Sequence, residues 1–278
     1  MTLRDLAARS IKPRADVVTL DIERVPGHFA TTWRGMTVEG NFWDLSETRR
    51  TMQRRLDPDD VTEWPRTVCV AWKWKDERRI EFASEWGDGR EGMLRRVWDV
   101  YHRAALVQGH NVNAFDTKNL KGEWAMLGLT PPSPWKVYDT LTVARKELRL
   151  ESNKLDSLCK RFGLSAKTDK YDVATARAAV AGDTKAQRKI ERYNKGDIRA
   201  SEALADWLRP WHRAHPIVGA PSGDERVCTR CGSTDLTLDA TRYRAVVMDY
   251  GLYLCETCGS WMRAGHVARV TGTRGVGA

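Results

Sequence analysis

Val17-Val18-Thr19-Leu20-Asp21-Ile22-Glu23 is the stretch on which the fold turns. Its β-branched and apolar residues read as a buried strand over 17–22, with two carboxylates where that strand ends. Side chains alternate along a strand, so Asp21 and Glu23 share one face. Two like charges on one face repel. The pair is tolerable either as a solvated acidic loop or with a cation between the carboxylates.

The pattern outward from this strand is α/β. Residues 24–64 read as irregular, broken by Pro26, Gly27, Gly35 and Gly40, with one basic helix at 46–56. Arg49, Arg50, Arg54 and Arg55 make that helix either a phosphate-tracking face or a merely solvated one. Strands at 67–74 and 79–83 form a hairpin around Lys75-Asp76-Glu77. Next come a helix at 91–105, a strand at 106–111, and a helix at 116–127. A strand at 137–141 leads into helix through Arg149, followed by helices at 154–162 and 184–208. This order predicts a mixed sheet flanked by helices, over a domain at 17–212 that follows an N-terminal tail at 1–16.

Two further sites carry carboxylates. In His110-Asn111-Val112-Asn113-Ala114-Phe115-Asp116 a strand ends and a helix begins, and Asp116 alone could be a helix N-terminal residue favoured by the dipole. In Tyr193-Asn194-Lys195-Gly196-Asp197, Tyr193 and Asp197 are four apart and share a helix face. Gly196 either admits a close neighbour or marks a local kink. His110 reads as a satisfied core histidine, and Asp139 as a support for the fold or the outer part of a site.

In this order the sites resemble the DEDD superfamily of 3′–5′ exonucleases. Its pattern is D-x-E on the first strand, N-x-x-x-F-D after a central strand, and Y-x-x-x-D or H-x-x-x-x-D on a late helix. This chain carries the tyrosine form, since position 192 is Arg. Tyr138-Asp139-Thr140-Leu141, Ser152-Asn153-Lys154-Leu155-Asp156 and Phe162-Gly163-Leu164 look like the ribonuclease H-like exonuclease branch of bacteria and phages, which often carries a C-terminal cysteine module. The resemblance spans roughly 17–260. It implies a ribonuclease H-like fold and a two-metal hydrolysis of phosphodiesters. Asp21 would bridge two Mg²⁺ or Mn²⁺ ions, with Glu23 and Asp197 completing the site that holds the attacking water. Asp116 would support the second metal, and Tyr193 would orient the water. Asn111 and Phe115 would help position the terminal nucleotide; alternatively Phe115 is core and Asn111 caps a turn. An internally cutting nuclease or ribonuclease of the same fold, or a non-catalytic nucleic-acid-binding module, are the competing readings.

Residues 213–225 read as a linker and 226–266 as a small unit holding Cys228-x-x-Cys231 and Cys255-x-x-Cys258, followed by a tail at 267–278. Two such pairs, each followed by glycine, make a tetrahedral thiolate cage for one structural Zn²⁺ in a zinc ribbon. A hairpin is expected at 241–254, turning near 249–251. The unit's arginines suit either nucleic acid or a docked protein. Cys69 and Cys159 read as buried thiols.

The chain has 278 residues, with 46 Lys+Arg against 37 Asp+Glu, a balance that favours a polyanionic partner. The expected partner is nucleic acid, as single strands or 3′ ends, with any polymerase or replication partner acting in trans. No apolar run suggests a membrane span, and a cytoplasmic, reducing compartment is expected. Trp33 and Trp43 are placed to stack on bases, whereas Trp72, Trp98, Trp124 and Trp207 are expected in the core.

Overall fold

The computed structural model describes residues 17–33, 36–43, 56–164, 171–216, 226–245 and 248–269. In chain order these form β1 (Val17–Val25), β2 (His28–Trp33), β3 (Met36–Asn41), β4 (Val61–Glu63), β5 (Arg66–Trp74) and β6 (Glu81–Ser84). Helices α1 (Glu85–Asp88) and α2 (Arg90–Arg103), strand β7 (Leu106–Gly109), helix α3 (Asp116–Met126) and strand β8 (Lys136–Asp139) follow. Then come α4 (Thr140–Glu147), α5 (Leu155–Arg161), α6 (Val173–Val180) and α7 (Thr184–Leu208), and last β9 (Leu236–Ala245), β10 (Met248–Cys255) and β11 (Trp261–Arg269).

The main sheet has the order β6-β5-β1-β7-β8. Strand β1 lies at its centre, antiparallel to β5 and parallel to β7, so the sheet is mixed. The two faces of β1 differ as alternation requires. Val18, Leu20 and Ile22 join Val97, Tyr101, Leu120 and Trp124 of α2 and α3 in one core cluster. Val17 joins Leu204, Ala205 and Leu208 of α7 in another. Tyr101 meets Trp124 edge-on at 5.1 Å, a pairing that contributes about 0.5–1.5 kcal/mol beyond simple burial. Asp21 and Glu23 therefore share the α7 face of the sheet.

Several sequence expectations need correction. Strand β1 runs on to Val25, because pairing with β5 resumes after a register shift between Glu23 and Arg24. Asp21 and Glu23 thus lie inside the strand rather than at its end. The segment read as irregular contains a second, three-stranded sheet of order β3-β2-β4. Its alternating residues pair in register from His28↔Asn41 to Trp33↔Met36, and Phe29 is fully buried. The glycines had been taken as breakers, yet Gly40 is itself a sheet residue opposite Phe29. Helix α6 was missed, and the helix expected at 46–56 lies outside the described residues apart from its last position. Trp72 and Trp124 are buried, but Trp98 and Trp207 are only partly so. The turn expected near 249–251 is instead the interior of β10. Cys69 and Cys159 are fully buried, as expected.

The register shift has a physical counterpart. Thr67, opposite Arg24, donates both its N–H and its hydroxyl to Glu123 Oε1 of α3, each at 2.8 Å. Glu123 is 2% exposed and also pairs with Arg90 at 3.0 Å and Arg24 at 3.5 Å. A buried carboxylate so supplies the acceptor beside the disrupted ladder and ties α3 to the sheet. Removing it leaves the buried Thr67 without its acceptor and the half-buried Arg24 without its carboxylate partner, a class of change that costs about 3–5 kcal/mol. Glu123→Ala is expected to lose stability of that order in urea unfolding; a loss within experimental error would refute this role.

Candidate active site and cysteine cluster

Helix α7 brings the late motif to β1. Its buried positions include Ala186, Ile190, Asn194, Asp197, Ser201, Leu204 and Leu208, a stripe at helical spacing. The stripe turns polar at Asn194, Asp197 and Ser201. Asn194 donates from Nδ2 to Asp21 Oδ2 at 2.6 Å, and to Asp21 O at 3.3 Å. Ligand oxygens of Asp21, Glu23 and Asp197 all lie within 4.8 Å of one another. Asp197 is 4% exposed, and its two partners on β1 are half-buried. Three carboxylates at this spacing repel strongly unless a cation joins them, and an all-oxygen set suits a hard divalent ion.

Asp116 takes a different place. It is not one of the three grouped acids. Its Oδ1 accepts the N–H of Ile22 at 2.9 Å, which fixes the start of α3 against the middle of β1. Burial pushes its carboxyl up to about 8; the Ile22 N–H partly offsets this, and the charges of Asp139 and Asp197 add to it. A cation nearby would favour the ionised form.

Tyr193 is half-buried beside the acids. Burial raises its phenol above the usual range, as do the charges of Asp197, Glu23 and Asp21 and a hydrogen bond to Asp197. It therefore remains a protonated donor. Tyr171, absent from the sequence reading, packs its ring 5.9 Å from Tyr193 and donates its hydroxyl to Arg24 O. Trp43 lies 6.4 Å from Tyr171, so the site is walled by aromatics on that side. The side chain of Trp33 lies outside the described residues.

The turn before α3 is built on Asp139, the N-cap of α4. Its carboxylate accepts from the backbone of Asn111 at 3.0 Å and Asn113 at 3.1 Å, as well as from Leu141 and Thr142. Asn111 has φ 67°, a left-handed conformation that asparagine tolerates better than most residues. A side chain on Gly109 would come within 2.7 Å of Leu20 O, so glycine lets β7 end close against β1. His110 bonds Thr140 Oγ1 and Asn153 O, each at 2.9 Å, the satisfied histidine expected. Phe115 is 38% exposed, not core. A side chain at Gly196 would meet open space among the described residues, and α7 continues as helix through it.

Residues 66–209 match the family model of the RNase_H superfamily. The chain belongs to the RNase H superfamily. The matched span runs from β5 to the residue after α7 and includes Asp116, Asp139 and Asp197. Asp21 and Glu23 precede it, but the structure inserts their strand between β5 and β7. No curated protein matches the chain. The RNase H fold and its acidic cluster support a metal-dependent nuclease, and the fold suggests nucleic-acid binding in general. Among the described residues no helix is long and apolar enough to cross a membrane.

The second candidate metal site is the cysteine cluster. Sγ of Cys228 lies 3.7 Å from that of Cys258, and Cys231 lies 3.7 Å from Cys255. Four sulfurs about 2.3 Å from a central ion form a tetrahedron with edges of about 3.8 Å, so the set fits one. The two pairs repeat one loop geometry. Gly232 N–H bonds Cys228 O and Gly259 N–H bonds Cys255 O, each at 2.8 Å, with positive φ at both glycines. Burial raises the Cys231 and Cys255 thiols. Burial also raises Cys258, but hydrogen bonds involving Ser260, Cys231 and Cys255 together outweigh it and bring that group down to about 7.

Asn194 escaped the sequence reading, although its signal was present: a polar residue on the apolar stripe of a long helix. Asn194→Ala removes a buried donor to Asp21 and is expected to cost about 1–3 kcal/mol. Urea unfolding without divalent cation measures it, and an unchanged midpoint would show the bond to be idle.

Proposed function

We propose that this protein is a metal-dependent phosphodiesterase acting on nucleic acid, and that it removes nucleotides from 3′ ends. The observation that carries the reading is the meeting of Asp21 and Glu23 of β1 with Asp197 of α7. These three residues would hold a divalent cation, and Asp116 would support a second. Bound Mg²⁺ or Mn²⁺ would neutralise charge on the phosphoryl oxygens and lower the pKa of an attacking water. The chain's own part is to fix the carboxylates through Asn194 and the Ile22 N–H, and to aim the Tyr193 hydroxyl at that water.

The fold supports internal and terminal cutting alike. Terminal cutting is favoured by Tyr193 at its place beside Asp197, and by the exposed ring of Phe115 next to Asp116, which suits stacking against a terminal base. Asn111 contributes through its backbone, holding the turn that presents Phe115. In this reading the cysteine cluster holds one structural Zn²⁺, closed to chemistry because four thiolates fill its coordination.

Digestion of 5′-labelled single-stranded DNA and RNA with Mg²⁺ or Mn²⁺ tests the activity. The expected product is a ladder shortening from the 3′ end, abolished in Asp21→Ala and Asp116→Ala proteins that remain folded. Discrete internal cuts would replace the terminal reading with an endonuclease. Full activity in either variant would remove the acidic site from the mechanism.

Elemental analysis of protein purified without chelator is expected to find one zinc per chain, lost in Cys228→Ser/Cys258→Ser. Its absence from the wild type would leave the cysteine cluster without a metal role.

A further inference from the structure

Tyr171 stands one residue ahead of Asp172, the N-cap of α6, and Asp172 fixes that corner of the chain. Its carboxylate accepts the Thr175 N–H at 2.7 Å and pairs with Lys189 of α7 at 3.2 Å. Ala176 and Ala179 of α6 are fully buried, in one cluster with Val25 of β1, Val68 and Cys69 of β5 and Ile190 of α7. The Tyr171 ring packs against the same cluster. Helix α6 thus packs on both α7 and β1, and its N-terminal corner is held in place by both.

From that seat the α6 segment grips β1 and the chain just beyond it at two carbonyls. Tyr171 donates its hydroxyl to Arg24 O, and Arg177 donates to Pro26 O at 2.8 Å. Arg24 and Pro26 are the first and third residues after Glu23. The β1–β5 register shifts between Glu23 and Arg24, so Tyr171 holds the strand where its ladder is disrupted. Its ring meanwhile lies 5.9 Å from that of Tyr193. A phenylalanine would pack the same ring. What the tyrosine adds is the bond to the strand beside Glu23.

We infer that Tyr171 is a positioning residue of the acidic site, fixing through the Arg24 carbonyl the direction from which Glu23 meets a divalent cation. The inference rests on the reading of Asp21, Glu23 and Asp197 as a cation site. Tyr171 acts through the backbone and not as a ligand. It restricts the strand at Glu23 before the ion arrives, so less order has to be imposed when the ion binds.

Titration of the full chain with Mn²⁺, followed by loss of the free-ion electron paramagnetic resonance signal, tests this without any cleavage. Tyr171→Phe removes the hydroxyl and keeps the ring beside Tyr193. It is expected to weaken Mn²⁺ binding by about threefold to tenfold, with a thermal melt close to that of the wild type. In Glu23→Gln, where the carboxylate is already gone, adding Tyr171→Phe is expected to weaken binding no further. Equal weakening in both backgrounds would make Tyr171 a general support of the fold and overturn the inference. Wild-type affinity in Tyr171→Phe would overturn it while leaving the cation site standing. A wild type that binds no Mn²⁺ would remove the cation site itself, and the inference with it.

Discussion

Everything in this molecule is arranged around the repulsion between Asp21 and Glu23. They are neighbours on one face of the central strand, and Asp197 is brought against them from α7. A fold that needed only a core would place apolar side chains there, as β1 does at Val18, Leu20 and Ile22 on its other face. Instead the apolar stripe of α7 is interrupted where it passes the acids, and buried polar groups take over. The Asn194 amide grips Asp21 and the Asp116 carboxylate grips the backbone of Ile22. Concentrated negative charge at a sheet centre is a standing cost that a divalent cation offsets.

The positioning of the acids rests on a surrounding frame. Glu123 completes the hydrogen bonding where the β1–β5 register shifts, one residue after Glu23. Asp139 caps α4 and also holds the turn that leads into Asp116. At the far end of α7, Arg230 from the first cysteine loop donates to the carbonyls of Arg209 and Pro210, at 3.0 and 3.1 Å. Lys75, just past β5, donates to Cys231 O at 3.2 Å. The cysteine unit is thus tied by hydrogen bonds to the end of the helix that carries Asp197 and to the end of β5.

Much of this was legible in the sequence because it rests on local rules. Alternation placed Asp21 and Glu23 on one face, helical spacing joined Tyr193 to Asp197, and the paired cysteines announced their cluster. The mixed sheet followed from the order of strands and helices. The sequence reading failed where long-range pairing decides. The β3-β2-β4 sheet depends on partners such as His28 and Glu63, which are far apart in the chain. Nothing local to Glu123 says that Thr67 and Arg24 will surround it. The bond that the Asp116 carboxylate accepts from the Ile22 N–H is likewise a relation that only the packing of α3 against β1 reveals.

The central claim is that Asp21, Glu23 and Asp197 form a divalent-cation site. Anomalous scattering at the manganese edge, from crystals of the full chain grown with Mn²⁺, tests it most directly. The account predicts a peak coordinated by carboxylate oxygens of all three residues. Manganese bound elsewhere, with no peak at this cluster, would contradict it.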